Sequence, residues 1–112
     1  MITFDELRQI ASKTGVVSEG YVTYLNDVMA VCDISNPLRE AAFLSHLLYT
    51  SDEFARNPYA GAAAARWHAG GMNEFADKDD FLLLTKRLLG GRSTNYRERS
   101  AFYERAKEVF AK

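Results

Sequence analysis

The stretch NPLREAAFLSHLLYT, residues 36–50, carries the clearest structural signal in the chain. Asn36 suits a helix cap, and Pro37 suits the first helical position, where the missing backbone N–H costs no hydrogen bond. Apolar residues then cover a wide arc of the helix: Leu38, Ala41, Ala42, Phe43, Leu44, Leu47 and Leu48. Because a helix that is apolar on most of its circumference is buried, we expect this one to be the central helix of the fold.

Helix signals continue on the N-terminal side of this stretch. Thr3 and Glu6 have the spacing of a capping box, and Gly15 suits the end of the helix that they begin. Ser18 can cap a second helix. Its apolar residues recur with the helical period as one stripe, namely Tyr21, Val22, Leu25, Val28, Met29 and Cys32.

On the C-terminal side the sequence predicts four further helical segments. They are an alanine-rich helix over 60–69 that Gly70-Gly71 ends, a brief turn over 73–77, a helix over 81–89 capped by Asp79 or Asp80, and a last helix over 95–111. No segment alternates with the period of a strand. We therefore predict an all-α fold, a single compact helical domain of about six helices spanning residues 1–112.

Length and composition exclude several classes of protein. The 112 residues suit one domain, and 47% hydrophobic with 26% charged residues is typical of a soluble globular protein rather than a disordered one. No apolar run approaches the roughly 20 residues of a membrane span, and acidic residues near the start argue against a signal peptide. A formal charge of −1 gives no general reason to bind nucleic acid. We expect a cytoplasmic protein with no membrane partner, in the host cytoplasm if a phage encodes it.

Few side chains suggest chemistry. His46 lies inside the apolar central helix and is expected to be a hydrogen-bonded core histidine, whereas His68 is expected at the surface. Cys32 is the single cysteine, which excludes an internal disulfide and a multi-cysteine metal site, and it suits a packing role. A local acidic cluster could bind a cation but more often favours the N-terminus of the next helix; its members are Asp77, Asp79 and Asp80. We predict no metal and no cofactor.

Basic residues are concentrated at the end of the chain. Residues 92–112 hold 6 basic and 3 acidic side chains, against 8 and 12 in residues 1–91. The segment is dominated by Arg92, Arg97, Arg99 and Arg105. A solvated helix face is the favoured interpretation, and an anion site is the alternative.

Two long segments resemble a known family. They are YLNDVMAVCDISNPLREAAFLSHLLYTSDEF, residues 24–54, and RWHAGGMNEFADKDDFLLLTKRLLGGRSTNYRERSAFYERAKEVF, residues 66–110. The first is similar to the turn "gI-tPlR" and the helix "AAFLAQ-aHESGgF" of glycoside hydrolase family 19, the chitinases and phage endolysins. The second resembles that family's "WfW---GLNelAD-gDF-aiTrrINGG" stretch. The resemblance covers 76 of 112 residues and implies a lysozyme-like helical body.

The same resemblance implies that the family's chemistry is missing. The "HES" glutamate, which is the general acid, falls on Thr50, its histidine on Tyr49, and the "INGG" asparagine on Leu89. The block with the second carboxylate has no counterpart, because only 11 residues separate Phe54 from Arg66. An inverting glycosidase needs two carboxyl groups about 6.5–9.5 Å apart, and a threonine cannot protonate a glycosidic oxygen. We expect a pseudoenzyme with no catalytic residues.

A hydrolase body without its active site is expected to act by binding. Loss of the substrate lobe would expose the flank of the central helix, where we predict a protein-binding patch of Leu47, Leu48, Tyr49, Phe54, Tyr59 and Trp67. The alternative is that these side chains, Trp67 above all, fill a reduced core. The family's phage context suggests an inhibitor of a host defence or lysis protein, and a homodimer through the same patch is a further option.

Two other functions stay open. One is binding of peptidoglycan or chitin fragments by Tyr49, Tyr59, Arg66 and Trp67. The other is a residual muramidase that uses Asp52 or Glu53. Nucleic-acid binding by the arginine-rich C-terminal segment ranks last.

Overall fold

Seven helices follow one another in the computed structural model, which describes residues 1–11, 18–51 and 60–112, and those residues contain no strand. The helices are α1 (Phe4–Ile10), α2 (Glu19–Val31), α3 (Pro37–Thr50), α4 (Ala60–Ala69), α5 (Met72–Asp77), α6 (Phe81–Leu88) and α7 (Tyr96–Phe110). The prediction of an all-α single domain is confirmed. The expected brief turn over 73–77 is a short helix in its own right.

The predicted helix caps form as expected. Thr3 and Glu6 make a reciprocal capping box at the start of α1, and the side chains of Ser18 and Asn36 accept from backbone N–H groups in α2 and α3. Asp80 rather than Asp79 caps α6. Because each cap satisfies backbone donors that the helix leaves unpaired, these short-range signals determine where the helices begin.

One predicted helix end is wrong. Helix α1 ends at Ile10, with Ala11 as its C-cap in an extended conformation, so it stops well before Gly15. Gly15 itself lies outside the described residues. A glycine can end a helix but does not oblige the helix to reach it, and Ala11 is buried in the core at this point.

Helix α3 is the central helix, as predicted. All nine residues from Glu40 to Leu48 are buried, which is achieved only if other elements surround the helix. The most extensive packing of α3 is against α7, and α3 also contacts α4 and α5. Helix α6 packs on α5 and α7, so the second half of α3 faces a space bounded by α4, α6 and α7.

Candidate functional site

A pocket of about 430 Å³ occupies this space beside the second half of α3. Helix α3 provides one wall, α4 and the start of α5 a second, and the end of α6 with one residue of α7 the remainder. Its lining consists of Phe43, His46, Leu47, Thr50, Ala63, Arg66, Trp67, Gly70, Met72, Arg87, Leu88, Leu89 and Arg99. The volume lies within the range of small-molecule sites, and the composition is mostly apolar with a few polar groups.

Trp67 forms a fixed part of the wall. It is 1% exposed, and its ring meets Phe43 edge-on with the centroids 5.5 Å apart. Its indole Nε1–H donates to Asn73 Oδ1 at 2.9 Å. Asn73 Nδ2 in turn donates to the backbone oxygens of Cys32 and Asp33, both at 3.1 Å. This wall is therefore tied to the end of α2 and cannot rotate freely.

His46 is a buried, neutral histidine, as predicted for a core position. Its Nδ1 lies 2.9 Å from Nη1 of Arg99, and because an arginine only donates, Nδ1 must accept. The remaining proton then sits on Nε2, which faces Thr85 Oγ1 at 3.5 Å. Burial, together with the Arg99 charge, lowers the pKa of His46 from its ordinary 6.5 to about 3. The imidazole stacks on Phe81 and is occupied on both nitrogens.

Arg99 is the most unusual charge in the site. It is 7% exposed, its Nε donates to the Thr94 carbonyl at 3.1 Å, and its guanidinium lies 4.4 Å from the Tyr49 ring centroid. No carboxylate pairs with it among the described residues. Burial lowers the pKa of Arg99, but arginine remains charged at neutral pH in proteins.

Two exposed arginines share the pocket with Arg99. Arg87 lies over the Phe75 ring at 5.8 Å, and the Arg66 side chain makes no hydrogen bond, ion pair or ring contact within the described residues. No aspartate or glutamate belongs to the described lining. The described lining therefore combines apolar walls with three positively charged side chains and no negatively charged one.

Several residues that the sequence singled out meet in this pocket. Thr50 and Leu89, to which the resemblance assigns the general acid and the sugar-binding asparagine, both line it, together with Arg66 and Trp67. The Thr50 hydroxyl donates to the backbone oxygen of His46 at 2.9 Å within its own helix. Tyr49 does not line the pocket and instead lies under Arg99.

Three members of the predicted exposed patch, Leu47, Leu48 and Trp67, are not exposed. Leu47, Leu48 and Trp67 are 4%, 0% and 1% exposed, so they belong to the core, and only Leu47 and Trp67 also line the pocket. The interpretation in which Trp67 fills the core is the one that holds. The prediction fails for these side chains because α3 is surrounded by other elements along its second half. Phe54 and Tyr59, and likewise Asp52 and Glu53, lie outside the described residues.

The solvated-face interpretation of the C-terminal arginines is wrong for Arg99. Arg92 and Arg97 are exposed as that interpretation requires, while Arg105 is half-buried and donates to the Ile10 carbonyl at 2.9 Å. Arg99 points inward because its position on α7 faces α3, and His46 there supplies a neutral acceptor.

The acidic cluster does not converge on a cation. Asp77 is bound by Arg39, Asp79 accepts from Tyr103 and Lys107, and Asp80 caps α6. Within the described ranges, no three His, Cys, Asp or Glu side chains come together as a metal site would require. His68 is exposed and Cys32 packs against the core, as predicted.

Three residues that line or support the pocket, Arg87, Asn73 and Thr85, were not predicted from the sequence. Arg87 stands in an amphipathic helix among other charged residues, and Asn73 follows a Gly-Gly pair that signals only a turn. Thr85, fully buried behind His46, resembles any helix-surface threonine in the sequence. Of the three, only Arg87 could have been suspected from the sequence, because it lies two residues before Leu89, which the resemblance places in the family's sugar site.

Comparison of the chain with known protein families, with curated proteins and with solved structures found no match. Among the helices of the described residues, none is both long and apolar enough to cross a membrane.

Proposed function

We propose that this chain is a catalytically inactive, hydrolase-derived binding protein that contacts a protein partner around the mouth of the pocket. Its proposed setting is the cytoplasm, where a phage- or prophage-encoded copy would inhibit a host defence or lysis protein. The proposal keeps the resemblance to glycoside hydrolase family 19 as the origin of the fold.

The observation that carries the proposal is the position of Thr50 and Leu89. The resemblance assigns these two residues, 39 positions apart in the sequence, to one active site, and they line one pocket. The described lining contains no carboxyl group. Because glycoside hydrolysis requires both an acid and a base carboxyl, this supports binding without turnover.

Sugar binding is supported less well than protein binding. A sugar ring stacks on an open aromatic face, yet Trp67 is 1% exposed and one face of Tyr49 is covered by the Arg99 guanidinium. Of the four proposed sugar-binding side chains, only Arg66 is exposed among the described residues. We therefore place glycan-fragment binding second.

The first experiment titrates labelled protein with chitin oligosaccharides and soluble muropeptides while product release is followed in the same samples. We expect neither amide shifts around Thr50 and Trp67 nor product at millimolar ligand. Shifts without product would replace the protein partner with a glycan ligand. Product would contradict the proposal, and Asp52→Asn and Glu53→Gln variants would then identify the acid.

The partner is tested by a photo-crosslinking residue placed at Thr50 or Leu89, which line the pocket without being buried and therefore serve as the two mouth positions. Val31, which is 85% exposed on α2 and does not line the pocket, provides the control position. We expect both mouth positions, and not position 31, to link to the same protein. Links between two copies of this chain would identify a homodimer, and equal labelling from all three positions would contradict a specific contact.

A further inference from the structure

We infer that the pocket is an oxyanion receptor, in which Arg99, Arg66 and Arg87 hold a carboxylate or phosphate group and the apolar walls hold the body that carries it. This inference rests on the proposed function, because it names the chemistry of the group that enters the same site. For a protein partner, that group is an acidic side chain or chain terminus.

Arg99 carries a buried positive charge in the wall of the pocket. A guanidinium that is taken out of water is costly unless an opposite charge or several acceptors compensate it. Here Nε and Nη1 have neutral acceptors, the Thr94 carbonyl and His46 Nδ1, while Nη2 has no acceptor in the described part of the chain. Nη2 does not belong to the fully enclosed unpaired polar atoms of the described residues, and Arg99 lines the pocket. The described residues therefore supply no counterion for Arg99.

The other two arginines strengthen the same conclusion. Arg66 and Arg87 are exposed, line the pocket and form no ion pair with any described residue. Like charges gathered around one space repel each other, and a bound anion relieves that repulsion. The planar fork of arginine matches the oxygens of carboxylate and phosphate, which makes these anions the natural ligands.

The apolar walls of the pocket indicate which kind of molecule carries the bound acid group. Phe43, Leu47, Trp67 and Leu88 surround the space with apolar atoms, and His46 contributes a neutral ring that bears no free donor toward an anion. A site of this kind favours an acid group attached to a flat or apolar body over a sugar, whose many hydroxyl groups would lack partners.

The test uses benzoate, inorganic phosphate and benzamide as probes. Benzamide has the shape of benzoate without its charge, and phosphate has the charge without the apolar body. The chain has 1 tryptophan, so the indole N–H of Trp67 gives a single NMR signal beside the Arg99 Nε–H signal. We expect benzoate to shift both signals with saturation, phosphate to shift mainly Arg99, and benzamide to shift neither.

Two double variants distinguish binding in the pocket from non-specific attraction of anions to positive charge elsewhere on the protein. Arg66→Gln with Arg87→Gln removes two exposed pocket charges without touching the core, and we expect benzoate affinity to fall about tenfold. The matched control is Arg8→Gln with Lys112→Gln, which removes two charges on the α1 side, where Lys112 donates to Gln9. We expect the control to bind benzoate like the unmodified protein.

Three results would overturn the inference. The first is that neither benzoate nor phosphate shifts the Trp67 or Arg99 signal with saturation, and the second is that benzamide shifts these signals as much as benzoate does. The third is that the two double variants lose benzoate affinity equally. Each is distinguishable from failure of the proposed function, which the glycan titration with product release measures separately. A chain that hydrolyses muropeptides would refute the proposed function whatever benzoate does. A chain that is inert toward glycans and toward anions would refute the inference alone.

Discussion

Asn73 shows how one polar side chain joins three parts of the fold. Its Oδ1 accepts from the Trp67 indole, and its Nδ2 donates to the backbone oxygens of Cys32 and Asp33 at the end of α2. The indole is buried, so its N–H has no water to replace this acceptor. Asn73 therefore stabilises the pocket wall from behind.

We expect Asn73→Ala to lower the free energy of unfolding by about 2 kcal/mol, because a buried donor loses its acceptor. Urea denaturation followed by tryptophan fluorescence measures the loss. Asn73→Asp keeps an acceptor for the indole but sets a carboxylate oxygen against the Cys32 and Asp33 backbone oxygens, so we expect it to be no more stable than Asn73→Ala at neutral pH. An alanine variant as stable as the unmodified protein would contradict this role.

His46 makes stability depend on pH in a defined direction. Its pKa is about 3 in the folded chain against an ordinary 6.5, so the unfolded chain binds the extra proton first as the pH falls. The contribution of neutral His46 to the free energy of unfolding is fully present above pH 6.5. Below pH 6.5 the free energy of unfolding decreases by up to about 1.4 kcal/mol per pH unit, and the decrease ends near the folded pKa of about 3.

We expect His46→Gln to remove this slope between pH 7 and pH 5, since glutamine does not titrate and its side-chain oxygen can still accept from Arg99. The measurement is urea denaturation at a series of pH values. His68→Gln is the control, because His68 is exposed on α4 and should leave the slope intact. Equal slopes in the unmodified protein and in His46→Gln would refute the assignment.

At the scale of elements, a cluster of polar bonds joins the start of α3 to the end of α5. Asp77 accepts from Arg39 Nε at 2.9 Å and Nη2 at 2.7 Å, and from Asn36 Nδ2 at 3.0 Å. Asn36 also caps α3, so one residue orients both the helix and the salt bridge. These bonds from Arg39 and then Asn36 hold the pKa of Asp77 below its ordinary value.

We expect Asp77→Asn to cost about 1 kcal/mol at neutral pH, a modest value because the carboxylate is partly exposed to solvent. Since the folded pKa is lowered, the difference from the unmodified protein should shrink as the pH falls below the ordinary 3.8. Chemical denaturation at pH 7 and pH 3 measures both values. Asp27→Asn is the control, on an exposed α2 position with no bond to another described side chain, and should cost much less.

At the scale of the whole molecule, the pocket exists because α4, the end of α6 and the start of α7 enclose a space beside the second half of α3. Part of this site could be predicted: Thr50, Leu89, Arg66 and Trp67 were selected from the sequence and do line it. Arg99 was assigned to a solvated face because its partner His46 is 53 residues away, and no local pattern reveals such a pair.

Local sequence patterns were enough to predict the all-α class, the helix caps at Thr3, Ser18 and Asn36, and the central place of α3, and they left the cap of α6 open between Asp79 and Asp80. These features depend on caps and on periodicity, which act between residues within a few positions of each other. The burial of Leu48 and Trp67 and the inward orientation of Arg99 follow instead from how the helices pack. The same packing brings three arginines into one pocket, because burial and charge depend on contacts between helices that are distant in the sequence.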